Sequence, residues 1–117
     1  MASVKTKIKR YQKIILDYLN YKASIKAANL PECENFVIAD TNSHRYQVIT
    51  VGWDGLKYVH STCIHIDISA DAKIWFRLNE TDVDISALFV KQGVPNMDIV
   101  LGFHPEYMRQ FSDYAIK

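Results

Sequence analysis

An α+β domain is the fold class this sequence predicts: an antiparallel four-stranded meander with an N-terminal helix and C-terminal helices packed on one face. Three observations carry that prediction. Residues 3–22 place apolar side chains at helical spacing. Residues 36–78 break into β-branched and aromatic runs separated by turn chemistry. Residues 81–115 return to helical spacing, punctuated by Gly93, Pro95 and Pro105. The 117 residues suit one domain, taken as 1–117. With 49% apolar and 23% charged residues, the chain can bury a core without disulfides or metal, which excludes a disordered class.

In the first helix Val4, Ile8, Tyr11, Ile15, Tyr18 and Leu19 form one stripe, and Lys5, Lys9 and Lys13 lie four apart on another face. Ser3 is placed to cap its start. Asn20 to Asn29 is expected to fray or to form a second short helix that Pro31 ends. Phe36 to Asp40 and Tyr46 to Trp53 read as a hairpin around the polar turn Thr41-Asn42-Ser43-His44. Asp54-Gly55 is the strongest turn dipeptide, and Gly52 beside it suggests a bulge.

Tyr58 to Ile68 reads as a long strand with Thr62, Ile64, Ile66 and Ile68 on one side and Cys63, His65 and Asp67 on the other. By the same alternation His60 falls opposite His65. Lys73 to Leu78 follows, with Ile74, Phe76 and Leu78 on one face and Trp75 and Arg77 on the other. Thr81 or Asp82 is the expected cap of a helix through Ile85, Leu88 and Phe89, which Gly93 stops. Ile99-Val100-Leu101 is a short buried run, either strand or extended chain. Pro105 opens a last helix whose apolar stripe is Tyr107, Met108, Phe111 and Tyr114.

The net charge of +1 is unevenly spread. Residues 1–26 carry seven basic groups against Asp17 alone, a net +6, and residues 27–117 carry seven against twelve acidic, a net −5. A basic end on an acidic body suits a solvated helix face, an acidic partner or a phosphate backbone. Cys33 and Cys63 show no metal or redox spacing and read as reduced thiols. No stretch is long and apolar enough for a membrane helix and no secretory signal is recognisable, so a cytoplasmic location is expected.

No nucleophile motif surrounds Ser61, Ser69, Ser86, Ser112 or Cys63. His65 and Asp67 share a strand face, but a metal site needs a third ligand such as His104, so the pair reads first as a surface or interface pair. Trp75, with Arg77 on the polar side of its strand, is either a partner-binding anchor or buried beneath another segment. Arg109 is spaced to pair with Asp113 on the last helix.

Val51-Gly52-Trp53-Asp54-Gly55, His65-Ile66-Asp67-Ile68, Lys73-Ile74-Trp75, Gly93-Val94-Pro95 and Asp98 through His104 occur in this order, followed by Arg109 through Ala115. Together they resemble the XisI family, the fdxN-element excision controlling factors, over residues 8–115. The resemblance implies a compact α+β domain and a role beside XisH-like proteins in excising a DNA element during cyanobacterial heterocyst differentiation, with a separate recombinase exchanging the strands. Two places depart from the family pattern. Ser69-Ala70-Asp71-Ala72 stands where a tight Asp-Gly turn is usual, and Thr81-Asp82-Val83-Asp84 replaces an acidic-glycine entry to the middle helix.

The resulting expectation is a non-enzymatic accessory factor without cofactor or metal that binds an XisH-like protein and meets DNA only indirectly or weakly. Its candidate partner surface is His65, Asp67, Trp75 and Arg77, extended by Trp53 and Asp54. An exposed sheet edge would also allow a homodimer. The alternatives are direct DNA binding through Lys5, Lys9 and Lys13, or a small metal-dependent enzyme using His65, Asp67 and His104.

Overall fold

The computed structural model describes residues 3–117. Helix α1 (Val4–Ala23) precedes β1 (Cys33–Asp40), β2 (Arg45–Asp54), β3 (Lys57–Ile68) and β4 (Ile74–Asn79), then α2 (Ile85–Lys91), β5 (Ile99–Leu101) and α3 (Glu106–Arg109). The strands form one sheet in sequential order, antiparallel from β1 to β4.

A fifth, parallel strand corrects the expected four-stranded meander: β5 pairs with β4 through Ile74–Ile99, Trp75–Val100 and Phe76–Leu101. The physical reason is the α2 crossover, which returns the chain to the same end of the sheet and lets a fully apolar run satisfy its backbone where no hairpin could. Ala115 extends this edge by one parallel bridge, donating its N–H to the Ile99 carbonyl at 2.8 Å.

Helix α1 starts where expected, with the Ser3 hydroxyl accepting from the Thr6 N–H at 3.1 Å. It ends at Ala23, and no second helix forms before Pro31. The cap of α2 is Asp84 rather than Thr81 or Asp82: its carboxylate accepts from the Ala87 N–H, while Thr81 is engaged by Asn79. Gly93 adopts a φ of 98° just past α2, the left-handed helix stop its sequence position predicts. Gly52 is not a bulge. It lies in register between Cys33 and Val59, and a Cβ there would come within 2.6 Å of the Glu32 carbonyl oxygen.

The core lies between α1, α2 and one sheet face, built from Tyr11, Ile15, Leu19, Tyr46, Val48, Ile64, Ile66, Ile74, Phe76 and Phe89, among others. Phe89 closes it, edge-on to Tyr18 and 5.6 Å from the Phe76 ring. The last helix does not join this layer as expected. Helix α3 is a single turn, too short to hold itself, and Tyr107, Met108 and Phe111 stand in solvent while Tyr114 alone packs on the core.

Two bulges overturn the simple strand alternation. Val48 pairs with Ile64 but Ile49 pairs with Thr62, which inserts Cys63 as an extra residue in β3. His65 pairs with Leu78 but Ile66 pairs with Phe76, which inserts Arg77 in β4. Because paired residues share a face, Thr62 joins Ile49 on the outer face, away from Ile64. His60, paired with Val51, lies on the same face as His65, and Leu78 leaves the side of Ile74 and Phe76.

Polar contacts tie α1 to the body. The Tyr11 hydroxyl donates to the Asp98 carboxylate, which Lys7 also reaches at 3.2 Å. The Tyr46 hydroxyl donates to Gln12 at 3.3 Å. Burial pushes the Tyr46 phenol up to about 12, and burial together with Asp98 raises that of Tyr11.

Two outcomes follow from this packing. Phe76→Ala should cost about 3–5 kcal/mol, whereas Phe111→Ala, at a site 82% exposed, should stay within about 0.5 kcal/mol; urea unfolding of both variants checks the contrast. Both raised phenols favour the protonated folded state, so their contribution is complete below the unfolded pKa of about 10 and is lost as pH rises through the folded value. Urea midpoints should therefore hold to pH 10 and decline toward pH 12, and Tyr46→Phe should make that decline shallower.

Candidate functional site

The outer face of the sheet, opposite α1, gathers the polar side chains of β3 and β4. Asp67 is its centre. It follows Ile66 and precedes Ile68, both in the core, so the pleat turns its carboxylate outward while the backbone stays inside the sheet. The Asp67 side chain is only 8% exposed, and a buried carboxylate must be paired. Three side chains do this. His65 Nε2 lies 2.8 Å from Oδ1, and Arg45 Nη1 and Arg77 Nε donate to Oδ2 at 3.1 and 3.0 Å.

The sheet register explains each approach. Arg45 is the cross-strand partner of Asp67 on β2, and Gln47 is that of His65, with its side-chain amide 3.3 Å from Nδ1. Arg77 reaches from the β4 bulge, which re-aims a residue that plain alternation would send past Asp67. Trp75, the β4 partner of Asp67, is half-buried between two guanidinium groups. Arg77 lies 4.7 Å and Arg109 5.2 Å from its ring centroid. Of the two alternatives for Trp75, burial is met in part, by arginines rather than by an apolar segment. Arg109 does not pair with Asp113; it donates to the carbonyls of His104 and Ile116 at 3.0 and 2.9 Å, which pins the C-terminal segment over Trp75.

His65, Asp67, Trp75 and Arg77 therefore meet in one place. Trp53 and Asp54 do not join them. They sit at the β2–β3 hairpin tip, where Trp53 packs on Tyr58, six residues along β2 from Gln47 and so roughly 20 Å away. His104 lies against Phe103, and the hydrogen bonds of His65 and Asp67 go to other residues. Among the described residues no group of three or more His, Cys, Asp or Glu is arranged to hold a metal. Lys5, Lys9 and Lys13 are exposed on α1, with Lys13 paired to Asp17 at 2.8 Å. Burial pushes the Cys63 thiol up, away from a reactive thiolate.

Arg45 and Gln47 belong to the cluster and have no sequence motif of their own, and Arg109 joins it although its spacing pointed to Asp113. Counting rungs from the Asp54–Lys57 pair without a bulge puts Arg45 opposite Ile66; the extra residue at Cys63 moves it to Asp67. A separate cavity of about 470 Å³ opens between the end of α1 and β1. Lys22, Lys26, Cys33, Cys63, Glu80 and Asp82 contribute to its lining, with opposed charges and none of the clustered residues above.

Comparison with known proteins adds the following. A family model described as XisI protein matches residues 5–116. The crystal structure of an XisI-like protein from Anabaena variabilis ATCC 29413 is 37% identical with a TM-score of 0.86, covering 94% of this chain and 99% of that one. The fdxN element excision controlling factor XisI from the same organism is 27% identical with a TM-score of 0.79, covering 95% and 99%. No curated protein matches the chain.

The Asp67 hub has a measurable consequence. Asp67→Asn leaves three donors facing a neutral group that itself carries an N–H pair, and should cost about 1–3 kcal/mol. Arg45→Gln, at a side chain 61% exposed, should cost less than about 1 kcal/mol. Equal losses in denaturant unfolding would contradict the central place given to Asp67.

Proposed function

The chain belongs to the XisI family, and from that membership we propose that it is a non-catalytic accessory factor of DNA-element excision that acts by docking on an XisH-like protein. In this reading a separate recombinase exchanges the strands, and DNA contact comes through the partner. The setting is heterocyst differentiation in the cyanobacterial cytoplasm. The solved relative described as an fdxN element excision controlling factor supports the excision context.

The observation that carries the reading is the charged side of the sheet around Asp67, which faces away from α1 and α2. Arg45, Arg77, Arg109 and Trp75 converge there, and Arg and Trp are residue types that anchor protein interfaces. Asp67 has both oxygens occupied by donors, an arrangement that organises a surface rather than abstracting a proton. His65, Asp67, Trp75 and Arg77 form the proposed contact. Trp53 and Asp54 would take part only with a partner long enough to reach the hairpin tip.

A second reading, direct DNA binding, has one observation in its favour: the exposed row of Lys5, Lys9 and Lys13. It requires an affinity that falls steeply with salt, by a slope of about one per phosphate neutralised.

Co-expression with the XisH-like protein of the same genome, tagging only that partner, tests the first reading. Stoichiometric co-purification is expected, and the Trp75→Ala, Arg77→Glu double variant should reduce it at least about tenfold. Absence of a complex between two folded proteins, or retention unchanged in a folded double variant, would overturn it. Titration of the chain alone with duplex DNA at low ionic strength decides the second reading, which an undetectable or salt-independent response removes.

A further inference from the structure

Arg77 is held from two sides and open on the third. Its Nε donates to Asp67 and its guanidinium carbon lies over the Trp75 ring at 4.7 Å, yet neither terminal nitrogen has a hydrogen-bond partner among the described residues. We propose that Arg77 is a preorganised receptor for a carboxylate of the docking partner, its Nη1–Nη2 edge presented outward by Asp67 and Trp75. The proposal rests on reading this sheet face as the partner surface and adds the chemistry of what docks there.

A guanidinium fork matches a carboxylate with two parallel N–H···O bonds, a geometry a lysine cannot reproduce. Most of the cost of using a flexible arginine is the rotamer freedom it loses on binding. Here the bulge, the Asp67 contact and the Trp75 stack have already removed that freedom. Asp67 does not repel an incoming anion strongly, because its 8% exposed side chain lies beneath two guanidinium groups. Arg45 and Arg109 flank the fork, and Asp40 is the cross-strand partner of Arg45 on β1, so three guanidinium groups stand against two carboxylates, the buried Asp67 and the exposed Asp40. Residues 27–117 carry a net −5 with these groups included, so the patch is a basic island on an acidic body.

A protein carboxylate suits this island better than a nucleic-acid backbone. Phosphates along a strand call for an extended cationic tract, and the row that offers one, Lys5, Lys9 and Lys13, belongs to α1 on the other side of the sheet. Arg109 is flanked instead by exposed Tyr107, Met108 and Phe111, the apolar company expected where a protein docks. The occupant is therefore an acidic segment of the partner protein that also carries apolar side chains.

Calorimetric titration with the XisH-like protein tests this on wild type and Arg77→Lys. Lysine keeps the charge but loses the fork, so affinity should fall at least about tenfold. An Arg77→Glu chain should recover binding to a partner variant in which the matching Asp or Glu is changed to Arg. Equal affinity for wild type and Arg77→Lys would overturn the receptor and leave the partner reading standing.

If wild type does not bind that protein, the partner reading fails and the receptor is decided with a probe. Capped hexaglutamate and a duplex DNA are titrated separately into Trp53→Phe protein, where Trp75 is the sole tryptophan. Saturable change of Trp75 fluorescence by the peptide, weakened at least about tenfold by Arg77→Lys, supports the proposal. No saturable change, or a tighter response to DNA than to peptide, overturns it.

Discussion

Strand β3 has to serve two faces at once, and that constraint organises the molecule. Ile64, Ile66 and Ile68 point into the layer beneath α1 and α2, while His65 and Asp67 point the other way. A slip of one residue would drive a carboxylate into the core and three isoleucines into solvent, so the register is strongly specified. Asp67 makes the constraint stricter. Its burial is tolerated only because Arg45, His65 and Arg77 converge on it, and each comes from a position that depends on the same register.

The two bulges turn this sheet into a site. The extra residue at Cys63 shifts the outer half of β3 by one and brings Arg45 opposite Asp67. The extra residue at Arg77 lets one arginine touch both Asp67 and Trp75. Trp75 in turn receives Arg109, whose hydrogen bonds to the His104 and Ile116 carbonyls fasten the C-terminal segment. A chain of contacts thus runs from the core isoleucines through one buried carboxylate to the last residues of the protein.

In the proposed reading, membership of the XisI family points to excision control as the setting, and the outer sheet face is the surface on which such control would operate. The two bear on different links. The family indicates the process, whereas the guanidinium cluster is the basis for the proposed chemistry of a docking partner. The exposed aromatic and methionine side chains around α3 fit the second link, because a segment that contributes little to the core keeps large apolar groups in water.

Much of the local chemistry was legible in the sequence, although the α2 cap falls on Asp84 rather than Thr81 or Asp82 and Arg109 does not pair with Asp113. The Ser3 cap, the Gly93 stop, the Asp54-Gly55 turn and the inward alternation of Ile64, Ile66 and Ile68 each depend on side chains a few positions apart. So does the placing of His65 beside Asp67. The tertiary structure alone decided the parallel seat of β5, the outward turn of Thr62 and Leu78, and the distance between Trp53 and the Asp67 cluster. It alone brought Arg45 and Arg109 to the site. The reason is that a bulge changes strand parity without a compositional mark, and pairing between segments distant in the chain is settled by which arrangement satisfies a buried charge and fills a core.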